Sequence, residues 1–297
     1  MAQRKVILEE LAALNSIKDL AQSYEEIAVI RMQNIKDSVI KTRDFLAGIS
    51  DVFVDLKASY MREIKELLEK RQKGDKHLLP SLQKNGKTLL VYLSSNGRLY
   101  GSVTQKTFRL FVQDIRKPES SDNVDLAVIG RAGKEMVEGA NIGKPFEFFD
   151  IPDTDVDIEH IKKLMTKFMQ YEKVYIYYGK FGNVVSQTPI SSSITGEDIF
   201  ETEIVSPTPR EDRFIFEPML EKILNLFESE IMANLFAQTL LENQLARHAS
   251  RVNAMEEALG NIEEESKKLN QQRVALKHLT ANKKQLEMMS GLVLWEG

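Results

Sequence analysis

Residues 245–276, LARHASRVNAMEEALGNIEEESKKLNQQRVAL, contain the pattern that decides the fold of this 297-residue chain. Apolar residues recur there every seven positions, in two rows three positions apart, as they do along the seam of a coiled coil. One row consists of Met255, Ile262, Leu269 and Leu276, and the other of Leu245, Val252 and Leu259. The second row continues with Ser266 and Arg273, so the pattern predicts a seam that weakens toward the C-terminal end.

The N-terminal part of the chain carries a matching row. Its members are Ile7, Leu14, Ala21, Ala28 and Ile35, with Ile17 and Tyr24 three residues beyond two of them. All 8 prolines and 11 of the 15 glycines lie between residues 74 and 218. Because proline costs about 3 kcal/mol inside a helix and glycine about 1 kcal/mol, both ends are predicted to be long helices. The alternative to a coiled coil is the core of an ordinary helical bundle, but four unbroken heptads favour the coiled coil.

The centre of the chain has a different pattern, in which strands and helices alternate. The strand patterns are Thr88–Ser94, Val124–Ile129, Pro145–Phe149, Lys173–Tyr178, Phe200–Val205 and Arg213–Phe216. Helical patterns cover Lys106–Ile115, Gly133–Val137 and residues 158–170. This alternation predicts an α/β domain with a mostly parallel sheet. The predicted domains are therefore an N-terminal coiled-coil helix (1–72), an α/β domain (73–217) and a C-terminal coiled-coil helix (218–297).

Composition excludes several classes of protein. A formal charge of −4 argues against a dedicated nucleic-acid binder, which would carry a basic excess. The absence of cysteine excludes disulfides and thiolate metal sites. No run approaches eighteen consecutive apolar residues, and the start, MAQRKVILEEL, resembles neither a signal peptide nor a transit peptide. A soluble chain is expected, without direct membrane insertion.

An α/β sheet raises the question of a nucleotide site. The loop after the first predicted strand, residues 94–101, reads SSNGRLYG. It has neither the three-glycine spacing of a dinucleotide loop nor the Gly-Lys-Ser/Thr ending of a nucleoside-triphosphate loop. Nucleotide binding is therefore not expected.

The acidic stretch from Asp153 to Asp157 resembles the first half of a calcium loop. However, Ile158 stands in place of the required glycine and Leu164 in place of the bidentate glutamate, so a solvated linker is predicted. The four histidines show no paired metal spacing, and no catalytic Ser/His/Asp grouping stands out. We expect no catalytic residue, cofactor or metal.

Six short blocks, taken in order, resemble the gamma subunit of F-type ATP synthases over nearly the whole chain. The strongest is YGKFGNVVSQTP at residues 178–189, which is similar to the family's Tyr-Asn-Lys-Phe-x-Asn-x-x-Ser-Gln-x-Pro. Residues 94–101 resemble Ser-Ser-Asp-Arg-Gly-Leu-Cys-Gly, and residues 125–130 and 216–218 match two further blocks. The C-terminal matches to Glu-Asn, to Arg-x-x-Ala-Met-x-x-Ala-x-x-Asn and to the terminal glycine are Glu242, Asn243, Arg251, Ala254, Met255, Ala258, Asn261 and Gly291.

The chain also departs from the family pattern. Arg247 stands where the family has glutamate. The family's Arg-Gln-x-x-x-Thr stretch near the tip is reduced to Lys277, His278 and Asn282. In that family the helix tip lies inside a catalytic ring of alpha and beta subunits. These differences concern individual contacts with that ring and leave the expected architecture unchanged.

The resemblance implies a rotor subunit that is itself not an enzyme. It would consist of an antiparallel coiled coil of the terminal helices and a Rossmann-like α/β domain at its base, with one copy per complex. Its partners would be the alpha and beta subunits of the catalytic ring and, at the base, the epsilon subunit and the membrane rotor ring, on the cytoplasmic face of a bacterial plasma membrane. An alternative is a free coiled-coil scaffold or assembly paralogue; a nucleotide-using α/β enzyme is a third possibility.

Residues of the C-terminal helix are candidates for contacts with those partners. The apolar tip would suit an apolar collar, since methionine is adaptable and tryptophan is a large anchor; alternatively, it packs on the N-terminal helix. The candidate contact residues are Arg247, Arg251, Met255, Lys277, His278, Asn282, Glu287, Met288, Met289, Leu292 and Trp295.

Overall fold

The computed structural model describes residues 2–59, 84–117, 123–153, 158–195 and 220–293. Within these ranges a long helix precedes a region of alternating strands and helices, and a second long helix follows it. The helices are α1 (Ala2–Ser59), α2 (Val103–Ile115), α3 (Arg131–Gly139), α4 (Ile158–Phe168) and α5 (Leu220–Val293). The strands are β1 (Thr88–Leu93), β2 (Val124–Ile129), β3 (Phe146–Phe149), β4 (Lys173–Phe181) and β5 (Gln187–Ser193).

The five strands form one sheet in the order β3-β2-β1-β4-β5. The first four strands are parallel, and β5 runs antiparallel to β4. The predicted α/β class with a mostly parallel sheet is therefore confirmed. The patterns at Phe200–Val205 and Arg213–Phe216 lie outside the described residues, as do the predicted domain boundaries near 72 and 217, which stay predictions.

Strand β5 is a strand that sequence reasoning missed. Its sequence, QTPISSS, contains Pro189 and three serines and shows no clear alternation of apolar and polar residues. Proline cannot donate to a sheet ladder, so it is tolerated mainly at sheet edges. The edge position of β5 explains why its composition differs from that of the central strands.

Helices cover both faces of the sheet. On one face, Val91 of β1 and Ile176 of β4 are fully buried and pack with residues of α4 and α5, among them Phe168 and Phe236. On the other face, Tyr92 packs with residues of α2 and α3. Burying a large apolar side chain contributes about 1.5–3 kcal/mol, so the alternation along β1 fixes which helices lie on each side.

The described structure divides into two compact units, residues 1–29 with 251–297 and residues 30–250. In the first unit α1 and α5 pack together through a cluster of Ile7, Leu11 and Leu269. The Arg251 guanidinium lies 5.5 Å from the ring centre of Tyr24. Residues further along α1 thus meet residues earlier in α5, which confirms the predicted antiparallel pairing.

The heptad rows are mostly as predicted, with one correction. The rows of α5 point inward and become more exposed toward Arg273, as the sequence predicts. On α1, Ile7, Ala21 and Ala28 are buried. Ile17, however, is 51% exposed, and the companion row instead contains the buried Leu11. Leu11 lies four residues beyond Ile7, and residues four apart also face the same seam in a heptad repeat.

Hydropathy along the described helices does not reach that of a membrane span. The described parts of α1 and α5 are long enough to cross a bilayer, but no described helix is apolar enough to do so.

Candidate functional site at the carboxyl edge of the sheet

The strand order reverses between β1 and β4. The chain runs from β1 to β2 and β3 on one side and returns to β4 on the other side of β1. Open α/β sheets bind their ligands in the crevice at the carboxyl ends of the strands, where such a reversal occurs. The contents of this crevice therefore decide what the domain can bind.

One face of α5 occupies this crevice. The face consists of Asn243, Ala246, Arg247 and Ser250, and we call it the carboxyl-edge seam. Their spacing of three, four and seven residues places them on one side of the helix. All four are buried.

Asn243 lies where β1 and β4 separate. The pairing of these strands ends at Tyr92 and Tyr177, although β4 continues further. Beyond this point the N–H of Gly179 donates to Asn243 Oδ1 at 3.0 Å, and Asn243 Nδ2 donates to the carbonyl oxygen of Leu93 at 3.3 Å. The side-chain amide thus takes the place of a peptide group between the two central strands.

Arg247 binds the next part of the edge. Its Nη1 donates to the carbonyl oxygen of Ser94 at 3.1 Å and to Asp153 Oδ1 at 2.7 Å. The guanidinium also lies 4.9 Å from the ring centre of Tyr100. Only 5% of the Arg247 side chain is exposed, and 22% of Asp153. This is an ion pair largely removed from water.

The Asp153 carboxylate binds two backbone N–H groups of the loop after β1. Asp153 Oδ2 accepts from the N–H groups of Asn96, at 3.0 Å, and Gly97, at 2.8 Å. Burial opposes ionisation of Asp153, but the Arg247 charge, its hydrogen bond and the two N–H groups outweigh burial and lower the pKa of this carboxyl. In a nucleotide-binding loop such amides would face a phosphate; here they hold a carboxylate of the same chain. The prediction of a solvated linker is thus wrong for Asp153, while residues 154–157 lie outside the described residues.

Two glycines allow α2 and α5 to pack closely against this edge. A Cβ at Gly179 would lie 2.6 Å from Val103 Cγ2 and 3.4 Å from the Cβ of Ala246. Gly101 has a φ of +62°, and a Cβ there would lie 2.4 Å from the carbonyl oxygen of Ser250. A side chain at Gly101 would push α5 away from the sheet, whereas a side chain at Gly179 would collide with Val103 of α2.

The opposite side of α5 binds α1 within the same unit. Glu242 Oε1 accepts from Arg43 Nε at 3.2 Å, from Arg43 Nη2 at 2.9 Å and from Gln238 Nε2 at 3.0 Å. The Glu242 side chain is 3% exposed and that of Arg43 is 46% exposed. Consecutive residues of α5 therefore hold the sheet on one side and α1 on the other.

The structure places the predicted contact residues in two groups. Arg247 lies in the carboxyl-edge seam, Arg251 packs on Tyr24, and Met255 is half-buried. Both arginines have internal partners and little exposed surface, and the predicted contacts of these two side chains with another subunit stay predictions.

The second group lies near the C-terminal end of α5. Every member that the structure describes is exposed; these are Lys277, His278, Asn282, Glu287, Met288 and Met289. His278, Asn282 and Met289 share one side of the helix, since they are four and seven residues apart. Exposure of 55% for Met288 and 65% for Met289 argues against packing of these two side chains on α1. The Leu292 side chain and Trp295 lie outside the described residues.

The polar groups of the carboxyl edge hold α5 against the ends of the strands. The carboxylate of Asp153, the amide of Asn243 and Nη1 of Arg247 are bound to one another or to backbone groups of the same chain. In the described ranges, no three His, Asp or Glu side chains are grouped to hold a metal ion. Sequence reasoning named Asn243 and Arg247 only through the family pattern and missed the role of Asp153, because its partner lies 94 positions away.

The terminal helices pair with each other, and one of them fills the crevice where an α/β sheet usually binds its ligand. These two features define a class of α/β protein in which a long helix takes the place of the ligand. The model of one family, described as ATP synthase, matches residues 3–276. The chain belongs to the ATP synthase family.

Individual relatives agree with this assignment. The ATP synthase gamma chain of Staphylococcus carnosus is 27% identical over 169 residues, which cover 55% of this chain and 58% of that relative's length. The gamma chain of Histophilus somni strain 129Pt is 22% identical over 88% of both chains. A chain of the Euglena gracilis mitochondrial ATP synthase rotor matches with a TM-score of 0.60 and 12% identity, covering 94% of this chain and 99% of that one. At this identity the likeness shows the fold alone.

Proposed function

We propose that this chain is the central-stalk rotor, or gamma, subunit of an F-type ATP synthase. One copy turns within the ring of alternating alpha and beta subunits and couples proton flow through the membrane sector to ATP synthesis or hydrolysis. The observation that carries this proposal is that α5 fills the ligand crevice of the sheet and extends as one helix from Leu220 to Val293. A rotor needs such a helix held firmly by the domain that turns it.

The proposed role is non-catalytic. The amides of Asn96 and Gly97 hold Asp153, and Asn243 holds the strand ends at the reversal point. In α/β proteins that bind nucleotides, this edge of the sheet holds the phosphates. The ATP chemistry of the complex is therefore assigned to the alpha–beta ring.

Exposed apolar side chains support a partner around the paired helices. Exposed apolar patches mark interaction surfaces when they are extensive. On α1 they include Val6, Ile17, Leu20 and Ile27, and on α5 they include Leu279, Leu286, Met288 and Met289. We assign this surface to the alpha–beta ring and the α/β domain to the epsilon subunit and the membrane rotor ring. The complex would lie on the cytoplasmic face of a bacterial plasma membrane.

Purification of the native complex tests the proposal. A tag on the chromosomal copy should recover alpha, beta and epsilon subunits together with ATP hydrolysis activity. Recovery of the chain alone, or with proteins unrelated to ATP synthase, would instead support a free scaffold or assembly paralogue. A gene located between those for the alpha and beta subunits would favour the rotor.

Calorimetry tests the remaining class, an α/β enzyme that uses a nucleotide. The purified chain should show no heat of binding with ATP or NAD, since its own groups occupy the crevice. Micromolar affinity for either would contradict a purely mechanical role.

A further inference from the structure

We propose that Asn243 specifies the rotational and axial register of α5 on the sheet. It would thereby make α5 rotate together with the α/β domain. The register is a property of the isolated chain. Only its rotary consequence rests on the proposed function.

The apolar contacts of α5 do not distinguish registers that lie one helical turn apart. Met232, Phe236 and Leu240 pack in the cluster beneath the sheet. Apolar attraction is non-directional and depends on the area removed from water. Further along, Ala246 and Ala249 present small side chains that are fully buried. A helix held by such contacts alone could move by about one turn while the same face stays buried.

The contacts of Asn243 are directional. One short side chain accepts from Gly179 N–H and donates to the Leu93 carbonyl at the same time. A shift of α5 by four residues moves it by about 6 Å and turns it by only about 40°, so its apolar face stays on the sheet while the Asn243 amide leaves both backbone groups. Both backbone groups would then be left buried without a partner, as would the amide. A single buried asparagine fixes the register of coiled coils for this reason.

Other polar residues of α5 are less suited to this task. Ser250 Oγ accepts one long hydrogen bond, from the N–H of Val103 at 3.4 Å. Glu242 and Arg247 bind partners through long arginine side chains, which can follow a small movement of the helix. Thr239 Oγ1 donates to the Phe236 carbonyl oxygen of its own helix at 2.7 Å, so its hydrogen bond does not depend on where the helix lies. Thr239 is also buried, at 4% exposure, which makes Thr239→Val a matched control for loss of a buried polar group.

Distances between two spin labels on the full chain test the register. Glu230 on α5 and Arg109 on α2 are exposed, and the chain has no native cysteine to remove before Glu230→Cys and Arg109→Cys are introduced. Double electron–electron resonance should give one narrow distance for the doubly labelled parent and for Thr239→Val. Asn243→Leu should give a broadened distance or a second one. If Asn243→Leu does not fold, Asn243→Ser, which cannot span both partners, should give the same result.

A single distance at the parent value in the Asn243 variant would overturn the proposal. In the assembled complex, the same variant should keep ATP hydrolysis but pump severalfold fewer protons per ATP, whereas Thr239→Val should pump as the parent does. Broadened distances together with unchanged pumping would overturn the role of Asn243 in coupling, while its role in fixing the register of α5 would stand. Failure of the parent chain to assemble with alpha and beta subunits would refute the proposed function without affecting the distances.

Discussion

Arg247 and Asp153 form an ion pair at 2.7 Å that ties α5 to the loop after β3. The family that the sequence resembles has glutamate at position 247, which would repel a carboxylate at position 153. The arginine instead provides the cation that binds Asp153, and it also binds the Ser94 carbonyl oxygen. This departure from the family pattern thus forms a contact within the chain.

Arg247→Leu should destabilise the protein, because it leaves the Asp153 carboxylate buried without its cation. We expect a loss of about 2–3 kcal/mol, below the cost of breaking a fully buried pair, since two N–H groups still bind the carboxylate. Guanidinium unfolding followed by circular dichroism measures it. The control is Arg98→Leu, which removes an exposed pair with Glu135 and should cost about 1 kcal/mol or less. Equal losses in both variants would contradict the buried role.

The Asp153 pair should also be visible in the pH dependence of stability. Its pKa in the folded protein is lowered, so its contribution is present above the unfolded pKa of about 3.9 and is lost as the pH falls through the folded pKa. The difference in unfolding free energy between the wild type and Asp153→Asn should be constant from neutral pH to about pH 5 and narrow below about pH 4. A difference that does not change with pH would show that the charge of Asp153 plays no part.

Gly179→Ala should force Val103, at the start of α2, away from β4. The new methyl group would lie 2.6 Å from Val103 Cγ2, and overpacking of this kind costs about 1–3 kcal/mol. Gly139→Ala is the matched control, because Gly139 lies in α3 and a Cβ there has nothing within 4 Å. That control should stabilise the protein by about 0.5–1 kcal/mol. Thermal melts that move in the same direction for both variants would refute the close approach at Gly179.

The strands that could be predicted from the sequence are those with continuous apolar runs. β2 was predicted with its observed bounds, Val124–Ile129, because a central strand buried on both faces leaves a local signature. β5 left no such signature, because an edge strand accepts a proline and serines. The long helices were equally readable, since their heptads are local in sequence.

The carboxyl-edge seam could not be predicted in the same way. Asp153 lies in a locally acidic stretch that looks solvated, and only the fold brings Arg247 to it. Asn243 matches a family pattern, but its two partners lie 64 and 150 positions away. Gly101 fits a loop motif, while its structural reason is the approach of Ser250. Each of these roles depends on a long-range contact that residue spacing does not encode.

Lys277 is the exposed cation of the distal group on α5, and it provides the test of contact with the catalytic ring. By family resemblance, it stands where the shaft presents an arginine to a carboxylate-bearing loop of one catalytic subunit. Lysine lacks the bidentate fork of arginine, so the proposed contact is weaker than the family's. A charge pair at about 4 Å is worth about 4 kcal/mol at a dielectric of about 20, and about 1 kcal/mol where water reaches it.

Lys277→Glu should therefore slow ATP hydrolysis by the reconstituted complex severalfold, because it replaces attraction with repulsion. Lys277→Arg should leave the rate unchanged or raise it. Lys267→Glu makes the same charge change at another exposed lysine of α5 and should have no effect. The rates are best compared at low salt, where screening of exposed charges is weakest. Equal rates for the wild type and Lys277→Glu under those conditions would show that Lys277 is a solvated side chain with no partner in the ring.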